Sequence, residues 1–275
     1  MALSEAEGGG GAGYRMSRRA WLLAGSGMVA ALAGPAVAAP QIPSDDKRVV
    51  ARNIIIPGAS GPMRAYYVRP ATLRAKAPAV LIVHESRGRT DYVDDVARRL
   101  AVVGYLALAP DFLSPLGGTP PEPEKERENA TKLESDQATA DAVAALVWLK
   151  GRDEGTGKVA AIGFAWGGGI VGRLAVVAPS LDAGVIFYGK LPQPKDVAQI
   201  RSPLLLHYAQ LDEKAGESVP AFEQALRDAD LPFESYAYNG AHASFHNDTS
   251  DQKFNADAAK QAWDRTLAFL KARLA

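Results

Sequence analysis

A seven-residue segment in the middle of the chain has the glycine spacing of a sharp strand-to-helix turn. Gly163–Gly169 reads G-F-A-W-G-G-G and follows an apolar run. Glycine two residues before and two after the centre lets the backbone pass close to itself, as in the turn that presents a catalytic nucleophile. That centre normally carries Ser, Cys or Asp, but here it is Ala165, whose methyl group cannot attack a carbonyl carbon. The alternative interpretation is a tight turn, or a phosphate-binding loop, without catalytic role.

An acid and a base candidate follow this turn in the order that hydrolytic triads of α/β proteins use. Asp212 comes shortly after an apolar run that ends at His207, and His242 lies in a later loop. The order of nucleophile position, Asp and His favours the catalytic interpretation of the turn. Asp212 could instead only cap a loop. His207 is expected to be a packed core residue, and His246 a hydrogen-bonding or surface loop residue.

Apolar runs alternate with helical patterns from Val49 onward, which predicts an α/β fold with a mostly parallel central sheet and helices on both faces. The turn at Gly61-Pro62 is expected to join two early antiparallel strands. A segment at 110–128, rich in Pro, Gly and charge, is expected to be an irregular excursion and a candidate lid. Ligands of such sheets bind beyond the carboxyl ends of the strands, where the candidate residues lie.

Several segments resemble the dienelactone hydrolase family. They are His84–Gly88, Asp94–Ala101 with Gly104-Tyr105, Ala109–Asp111, Gly163–Gly168, Leu206–Asp212 and Gly240–Phe245. The resemblance runs from about Val49 to the end. It implies an α/β-hydrolase fold and an enzyme that hydrolyses esters or lactones through an acyl-enzyme formed by a Cys-His-Asp triad, without a cofactor.

The resemblance also assigns the triad positions. It places the nucleophile at Ala165 and the acid at Asp212. In the segment G-A-H-A-S-F it places the catalytic histidine at Ala243, so that two of three triad positions are alanine. A shift of the loop by one residue would instead bring in His242 as an alternative base.

Five further residues are assigned from the same resemblance and from their places beside the turn. Glu85 matches the family glutamate that faces the nucleophile, and Arg87 is expected to balance its charge and to contact substrate. The backbone N–H groups of Ser86 and Trp166 would form the oxyanion hole, which does not depend on their side chains. Phe164 is expected to line an apolar pocket.

The amino terminus resembles an export signal. Arg18-Arg19 precede an apolar stretch, and Ala36-Val37-Ala38 is a small-residue cleavage site. This layout predicts a twin-arginine signal peptide over 1–38, cleavage after Ala38, and a single hydrolase domain over 39–275 that works in the periplasm or outside the cell. An uncleaved membrane anchor is the alternative, and Met16 is an alternative start.

The composition narrows the range of partners. The 31 basic residues are balanced by 31 acidic residues, so nucleic acid is not expected as a partner. The chain has no cysteine, which excludes disulfides and a thiol nucleophile. No two histidines have the spacing of metal ligands on one element, so no metal is expected. We expect a monomer that takes a small ester or lactone and has no stable membrane partner after cleavage.

Three functions are compatible with this pattern, and the weakest of them is hydrolysis by a water molecule that Glu85 or His242 activates beside an intact oxyanion hole. The first is an ester or lactone hydrolase by descent, here inactive or weakly active because its nucleophile position is Ala165. The second is a pseudoenzyme that binds a small carboxylate or lactone without turnover. The alanines could be deliberate replacements, since Ala is the usual minimal deletion of a catalytic side chain, or they could be natural.

Overall fold

The computed structural model describes residues 41–250 and 252–275, so the predicted export signal lies outside the described residues. This part of the chain contains one eight-stranded sheet with the order β1-β2-β4-β3-β5-β6-β7-β8. The strands are β1 (Val49–Gly58), β2 (Gly61–Pro70), β3 (Ala77–Val83), β4 (Leu106–Pro110), β5 (Gly155–Phe164), β6 (Ala183–Phe187), β7 (Leu204–Ala209) and β8 (Phe233–Tyr238). The helices are α1 (Asp91–Val102), α2 (Pro123–Ala130), α3 (Ser135–Lys150), α4 (Trp166–Val177), α5 (Glu213–Asp228) and α6 (Ala256–Leu274).

The sheet is mostly parallel. β2 is antiparallel to β1 and to β4, and every other neighbouring pair is parallel. The central strands are continuous apolar runs because helices cover both of their faces. One core packs α3, α4 and α5 against the sheet, and the other packs α1 and α6 against its opposite face. The predicted fold class is therefore confirmed.

Two local predictions differ from the structure. The turn between β1 and β2 lies at Ala59-Ser60 rather than Gly61-Pro62, because Gly61 pairs with Gly58 in the ladder. Asp141 of α3 holds this turn by accepting hydrogen bonds from Ser60 N at 2.8 Å and Ser60 Oγ at 2.7 Å.

The segment at 110–128 is not wholly irregular. It contains a short 3-10 helix, Ser114–Leu116, and the start of α2. Proline suits the first turn of a helix because its missing N–H would have no intrahelical partner there, so Pro123 can begin α2. Within the described residues, no helix combines the length and apolar character needed to cross a bilayer.

Candidate functional site

Ala165 lies at a strained bend between β5 and α4. Its backbone has φ 49° and ψ −112°, a left-handed region that residues with a Cβ seldom adopt. Two hydrogen bonds hold it there. Ala165 N donates to the carbonyl of Phe187 at 3.0 Å, and its own carbonyl accepts from Gly169 N at 3.2 Å. The bend is therefore locked to the end of β6 on one side and to the first turn of α4 on the other.

The glycines on either side of Ala165 have no room for a side chain. A Cβ on Gly163 would lie 2.1 Å from the carbonyl oxygen of Gly167. A Cβ on Gly167 would lie 2.3 Å from the carbonyl oxygen of Val83 and 2.4 Å from that of His84. The G-x-A-x-G spacing therefore reflects a close backbone approach between the bend and the end of β3.

The bend opens into a cavity of about 650 Å³ that brings the three predicted triad positions together. Ala165, Asp212 and Ala243 all line it. Apolar wall residues include Trp166, Ile170, Val176, Leu191 and Pro192, and polar ones include Ser135, Thr139, Lys190 and Gln193. The charged residues Arg173 and Asp196 also line the cavity, and such a mixture of apolar walls with polar and charged groups suits a small organic ligand that carries polar atoms.

The structure separates the two candidates for the base position. Ala243 is half-buried and lines the cavity, whereas His242 is exposed and is not among the described residues that line it. Residues 242–245 form a tight turn, which is closed by a 3.1 Å hydrogen bond from Phe245 N to the carbonyl of His242. Within this turn Ser244 has φ 72°. This turn points residue 243 at the cavity and leaves residue 242 at the surface.

Asp212 stands on the loop that follows β7. Its backbone N–H donates to the carbonyl of Ala209 at 3.1 Å, and the preceding Leu211 N donates to the carbonyl of Ala241 at 3.0 Å. The second of these bonds ties the loop of Asp212 to the loop of Ala243. The two positions are thus held at the same end of the sheet by the backbone itself.

Glu85 lies in a different environment from the one expected. It does not line the Ala165 cavity but a second cavity of about 950 Å³, bounded by the loop after β3 and by the 119–126 segment. Asn247 Nδ2 donates to Glu85 Oε2 at 3.2 Å. Burial raises the pKa of Glu85, and hydrogen bonds from Asn247 and Ser244 oppose that rise. The tether to Asn247 accounts for the placement of Glu85 on the second cavity.

Arg87 does not form an ion pair with Glu85, although its positive charge lowers the pKa of Glu85 as expected. Its Nε lies 3.0 Å from Glu126 Oε2 of α2, and its side chain is 60% exposed. Arg87 also lines the second cavity rather than the Ala165 cavity. It does not pair with Glu85 because α2, which the composition of its segment did not predict, supplies a nearer carboxylate.

The two neighbours of Ala165 differ in their surroundings: Trp166 lines the cavity, whereas Phe164 is buried in the core. Trp166 begins α4, lines the cavity and stacks on His84 with ring centroids 5.8 Å apart. Its backbone N–H is at the positive end of the helix dipole, which favours an oxyanion. Phe164 is fully buried and packs on Phe187 at 4.8 Å, so it does not line the cavity, contrary to expectation.

Ser86 lies in the turn after β3. This turn is closed by a 3.1 Å hydrogen bond from Gly88 N to the carbonyl of Glu85. The buried His84 ring fastens its start, with Nδ1 2.6 Å from the Glu85 carbonyl and Nε2 accepting from Phe112 N at 3.0 Å. Burial lowers the pKa of His84, so the ring acts as a neutral strut.

The remaining histidines are buried. His207 Nε2 lies 3.0 Å from Thr266 Oγ1 and its Nδ1 2.9 Å from Tyr238 Oη, as expected of a core residue. His246 is buried and not at the surface, with Nδ1 2.6 Å from Tyr92 Oη. Residues 41–250 and 252–275 contain no group of three His, Cys, Asp or Glu residues able to hold a metal ion.

Two residues at the site were not found from the sequence. Tyr188 directly follows β6, lines the Ala165 cavity and has φ 40°. Its place after a strand was a signal that could have identified it. Asn247, the hydrogen-bond partner of Glu85, had no such signal, because the two residues meet only through the tertiary structure.

Comparisons with known proteins agree with this architecture. The family model "Dienelactone hydrolase family" matches residues 63–274. A protein of Escherichia coli O157:H7, provisionally named carboxymethylenebutenolidase, is 32% identical over 248 residues, covering 84% of this chain and 90% of the relative. A hydrolase fragment of Escherichia coli K12 is 48% identical over 92 residues, covering 33% of this chain and 79% of the fragment.

A solved structure shares the fold. It belongs to a provisionally named dienelactone hydrolase of Klebsiella pneumoniae, with a TM-score of 0.72 and 28% identity, and the match covers 81% of this chain and 98% of that one. The family model spans most of the described chain, including the bend at Ala165 and the loops of Asp212 and Ala243. This chain therefore belongs to the dienelactone hydrolase family.

Proposed function

We propose that this chain binds a small ester or lactone in the Ala165 cavity and hydrolyses it slowly or not at all. One observation carries the proposal: Ala165 and Ala243 line the same cavity as Asp212, at the positions that the family resemblance assigns to nucleophile and base. The cavity and bend are retained, while the atoms that would attack and shuttle a proton are replaced by methyl groups. On this proposal the protein is a pseudoenzyme, which binds the ligand but does not turn it over efficiently.

The proposed binding does not need the missing side chains. The backbone N–H group of Trp166, which lines the cavity, would still donate to a carbonyl oxygen, because a substitution at residue 165 or 243 removes no backbone donor. Ser86, the second predicted donor, lies on the loop after β3 and is not among the described residues that line the cavity. Hydrolysis by water activated through Glu85 or His242 has less support. Neither residue is among the described ones that line the cavity. The names of the relatives suggest a butenolide or dienelactone as ligand.

Restoration of the two side chains tests the proposal. We would compare the unmodified chain, Ala165→Cys, and Ala165→Cys with Ala243→His on a short-chain activated ester and a dienelactone. Only the double variant should form an acyl-enzyme and turn over, with a gain of about 10³-fold or more over the unmodified chain. A third variant that adds Asp212→Asn to the double one is the matched control and should lose most of that gain.

Binding is measured separately by calorimetry with the unmodified chain and the intact lactone. Saturable binding without turnover supports the proposal. Substantial turnover by the unmodified chain, or no binding together with no gain in the double variant, would overturn it.

We also propose that the chain is exported by the twin-arginine route, is cleaved after Ala38 and acts as a monomer in the periplasm or outside the cell. The support is the arginine pair Arg18-Arg19 and the small-residue site at Ala36–Ala38. Cell fractionation and mass spectrometry of the mature amino terminus should show export that stops when both arginines are replaced by lysine. Unchanged export of that variant would contradict the route, and sedimentation of the exported form checks the monomer.

A further inference from the structure

A buried carboxylate on α1 holds the beginning of the described chain. Asp95 is 1% exposed and accepts hydrogen bonds from the backbone N–H groups of Gln41 at 3.1 Å and Ile42 at 2.8 Å. Arg98 closes the contact from the other side, since its Nε donates to the carbonyl of Ile42 at 2.6 Å. Residues 41 and 42 therefore use three backbone groups to bind two buried charged side chains.

The same cluster extends to the loop before α6. Arg99 Nε donates to Asp95 Oδ2 at 2.7 Å, and its Nη2 donates to Asp248 Oδ2 at 2.6 Å. The side chain of Gln41 reaches the same oxygen, with Nε2 at 3.0 Å from Asp248 Oδ2. Asp248 is thus held at once by α1 and by the segment at residues 41–42.

Asp248 belongs to the loop that carries the base position. Five residues earlier this loop places Ala243 on the cavity, and the residue before Asp248 is Asn247, which holds Glu85. The loop is a chain of tight turns: Asn247 N donates to the Ser244 carbonyl at 3.0 Å, and Asn247 Oδ1 accepts from Thr249 N at 3.0 Å.

The loop also contains strain that its surroundings must support. Ser244, next to Ala243, has φ 72°, a conformation that a residue with a Cβ keeps only where neighbouring contacts hold it. The contacts of Asp248 with Arg99 and Gln41 are such a constraint, because they anchor the loop four residues after the strained one.

We propose that Gln41-Ile42 is a latch that fixes the loop at 243–249 and so positions residue 243 on the cavity. The segment lies just beyond the predicted cleavage site, so a chain cut after Ala38 keeps the latch and a chain trimmed past Ile42 loses it. Gln41, Ile42, Asp95 and Arg99 are positioning residues, since they act on the cavity through Asp248. That the latch matters for catalysis at residue 243 rests on the proposed function, whereas the latch itself does not.

A pair of substitutions at Ile42 tests the latch in the full chain. Ile42→Pro removes the backbone donor to Asp95, whereas Ile42→Ala keeps that donor and is the matched control. Hydrogen exchange measured by mass spectrometry on the peptide covering 241–250 should be about tenfold faster in Ile42→Pro than in Ile42→Ala, as the loss of one hydrogen bond to a charged group predicts. Peptides of β5 and α4 should exchange equally in both.

A second variant keeps the test decisive if Ile42→Pro folds poorly. Asp248→Asn weakens the contacts to Arg99 and Gln41 and should also speed exchange over 241–250, while Asp46→Asn, which breaks only the exposed pair with Arg48, should not. Equal exchange of the 241–250 peptide in Ile42→Pro, Ile42→Ala and Asp248→Asn would overturn the latch. So would a uniform rise across the whole domain, which would indicate general destabilisation.

The effect of the latch on the cavity is measured as a change in kcat and KM of the variant that carries Ala165→Cys and Ala243→His. Addition of Ile42→Pro should lower kcat more than it changes KM, because the base is displaced while the cavity walls remain. Exchange needs neither ligand nor turnover. If exchange responds but the double variant never turns over, the proposed function fails and the latch stands. If turnover is restored and neither kcat nor exchange responds to Ile42→Pro, the latch fails and the proposed function stands.

Discussion

Ala165 and Ala243 line one cavity, although one lies on the bend after β5 and the other on the loop after β8. Ala165 is held by the end of β6 and the first turn of α4, and Ala243 by the turns that precede α6. Because both side chains are methyl groups, neither can act as a nucleophile or as a base.

The first prediction is that residue 243, and not its neighbour His242, is the position from which a histidine can act as the base. In the chain with Ala165→Cys and Ala243→His, a further His242→Ala should leave kcat/KM within about twofold, since His242 is exposed and lies off the cavity. Ala165→Cys with the native His242 alone should remain near the background rate. Steady-state kinetics on an activated ester measure both. A rate in the Ala165→Cys variant that depends on His242 would show that the loop has slid by one residue.

The second prediction concerns stability and follows from the close backbone approach at Gly167. Gly167→Ala puts a Cβ 2.3 Å from the Val83 carbonyl oxygen, a backbone atom that cannot rotate away. The free energy of unfolding should fall by about 3 kcal/mol or more, the upper range for overpacking. Gly151→Ala is the control, because its Cβ would meet nothing closer than 3.6 Å. Similar urea midpoints for the two variants would show that the bend is looser than described.

The third prediction concerns Asp94 on α1. Burial raises its pKa to about 7, against the opposing charge of Arg89, whose Nε lies 3.1 Å from Asp94 Oδ1. A carboxyl with a raised pKa in the folded state favours folding while it is protonated, so its contribution is lost as pH rises from about 4 to about 7. The loss is at most about 4 kcal/mol. Asp94→Asn should flatten this part of the stability curve in urea unfolding, and an unchanged slope would contradict the shift.

His246 gives a pH dependence of the opposite sign. Burial lowers its pKa to about 3, so the folded protein keeps the ring neutral. Its contribution to stability is complete above the unfolded pKa of about 6.5 and is lost as pH falls toward 3, because the unfolded chain binds the proton more readily. NMR of the imidazole nitrogens should show a neutral ring down to about pH 4. Titration of His246 near its unperturbed pKa would be the contrary result.

Asp95 provides the fifth prediction. Asp95→Ala leaves Arg98 and Arg99 buried without their shared carboxylate, and Asp95 itself is 1% exposed. Loss of one partner of a buried ion pair costs about 3–5 kcal/mol. Asp46→Ala, in a pair where Arg48 is 59% exposed, should change the unfolding free energy far less, because water screens an exposed ion pair. Thermal or urea unfolding of the two variants measures the contrast, and equal losses would count against a buried network.

Local sequence patterns determined the elements and the bend of this protein. The apolar runs at β3 and β5 form strands, as is typical of the central strands of a parallel sheet that helices cover on both faces. The requirement for glycine at 163 is local as well, since a Cβ there would meet the backbone of Gly167, whereas glycine at 167 is required by the approach of Val83 and His84 at the end of β3. The absence of a nucleophile at the bend could be read directly from Ala165.

The tertiary structure alone decided which polar residues meet. Glu85 and Ala165 follow neighbouring strands of the sheet, β3 and β5, yet Glu85 accepts a hydrogen bond from Asn247 and lines a different cavity. Arg87 pairs with Glu126 on α2, a helix that the composition of its segment did not predict. The choice between His242 and Ala243 likewise depended on the turn at Ser244. Side chains on loops meet according to turns and long-range contacts, such as that of Asp248 with Arg99, and no periodic pattern in the sequence encodes these.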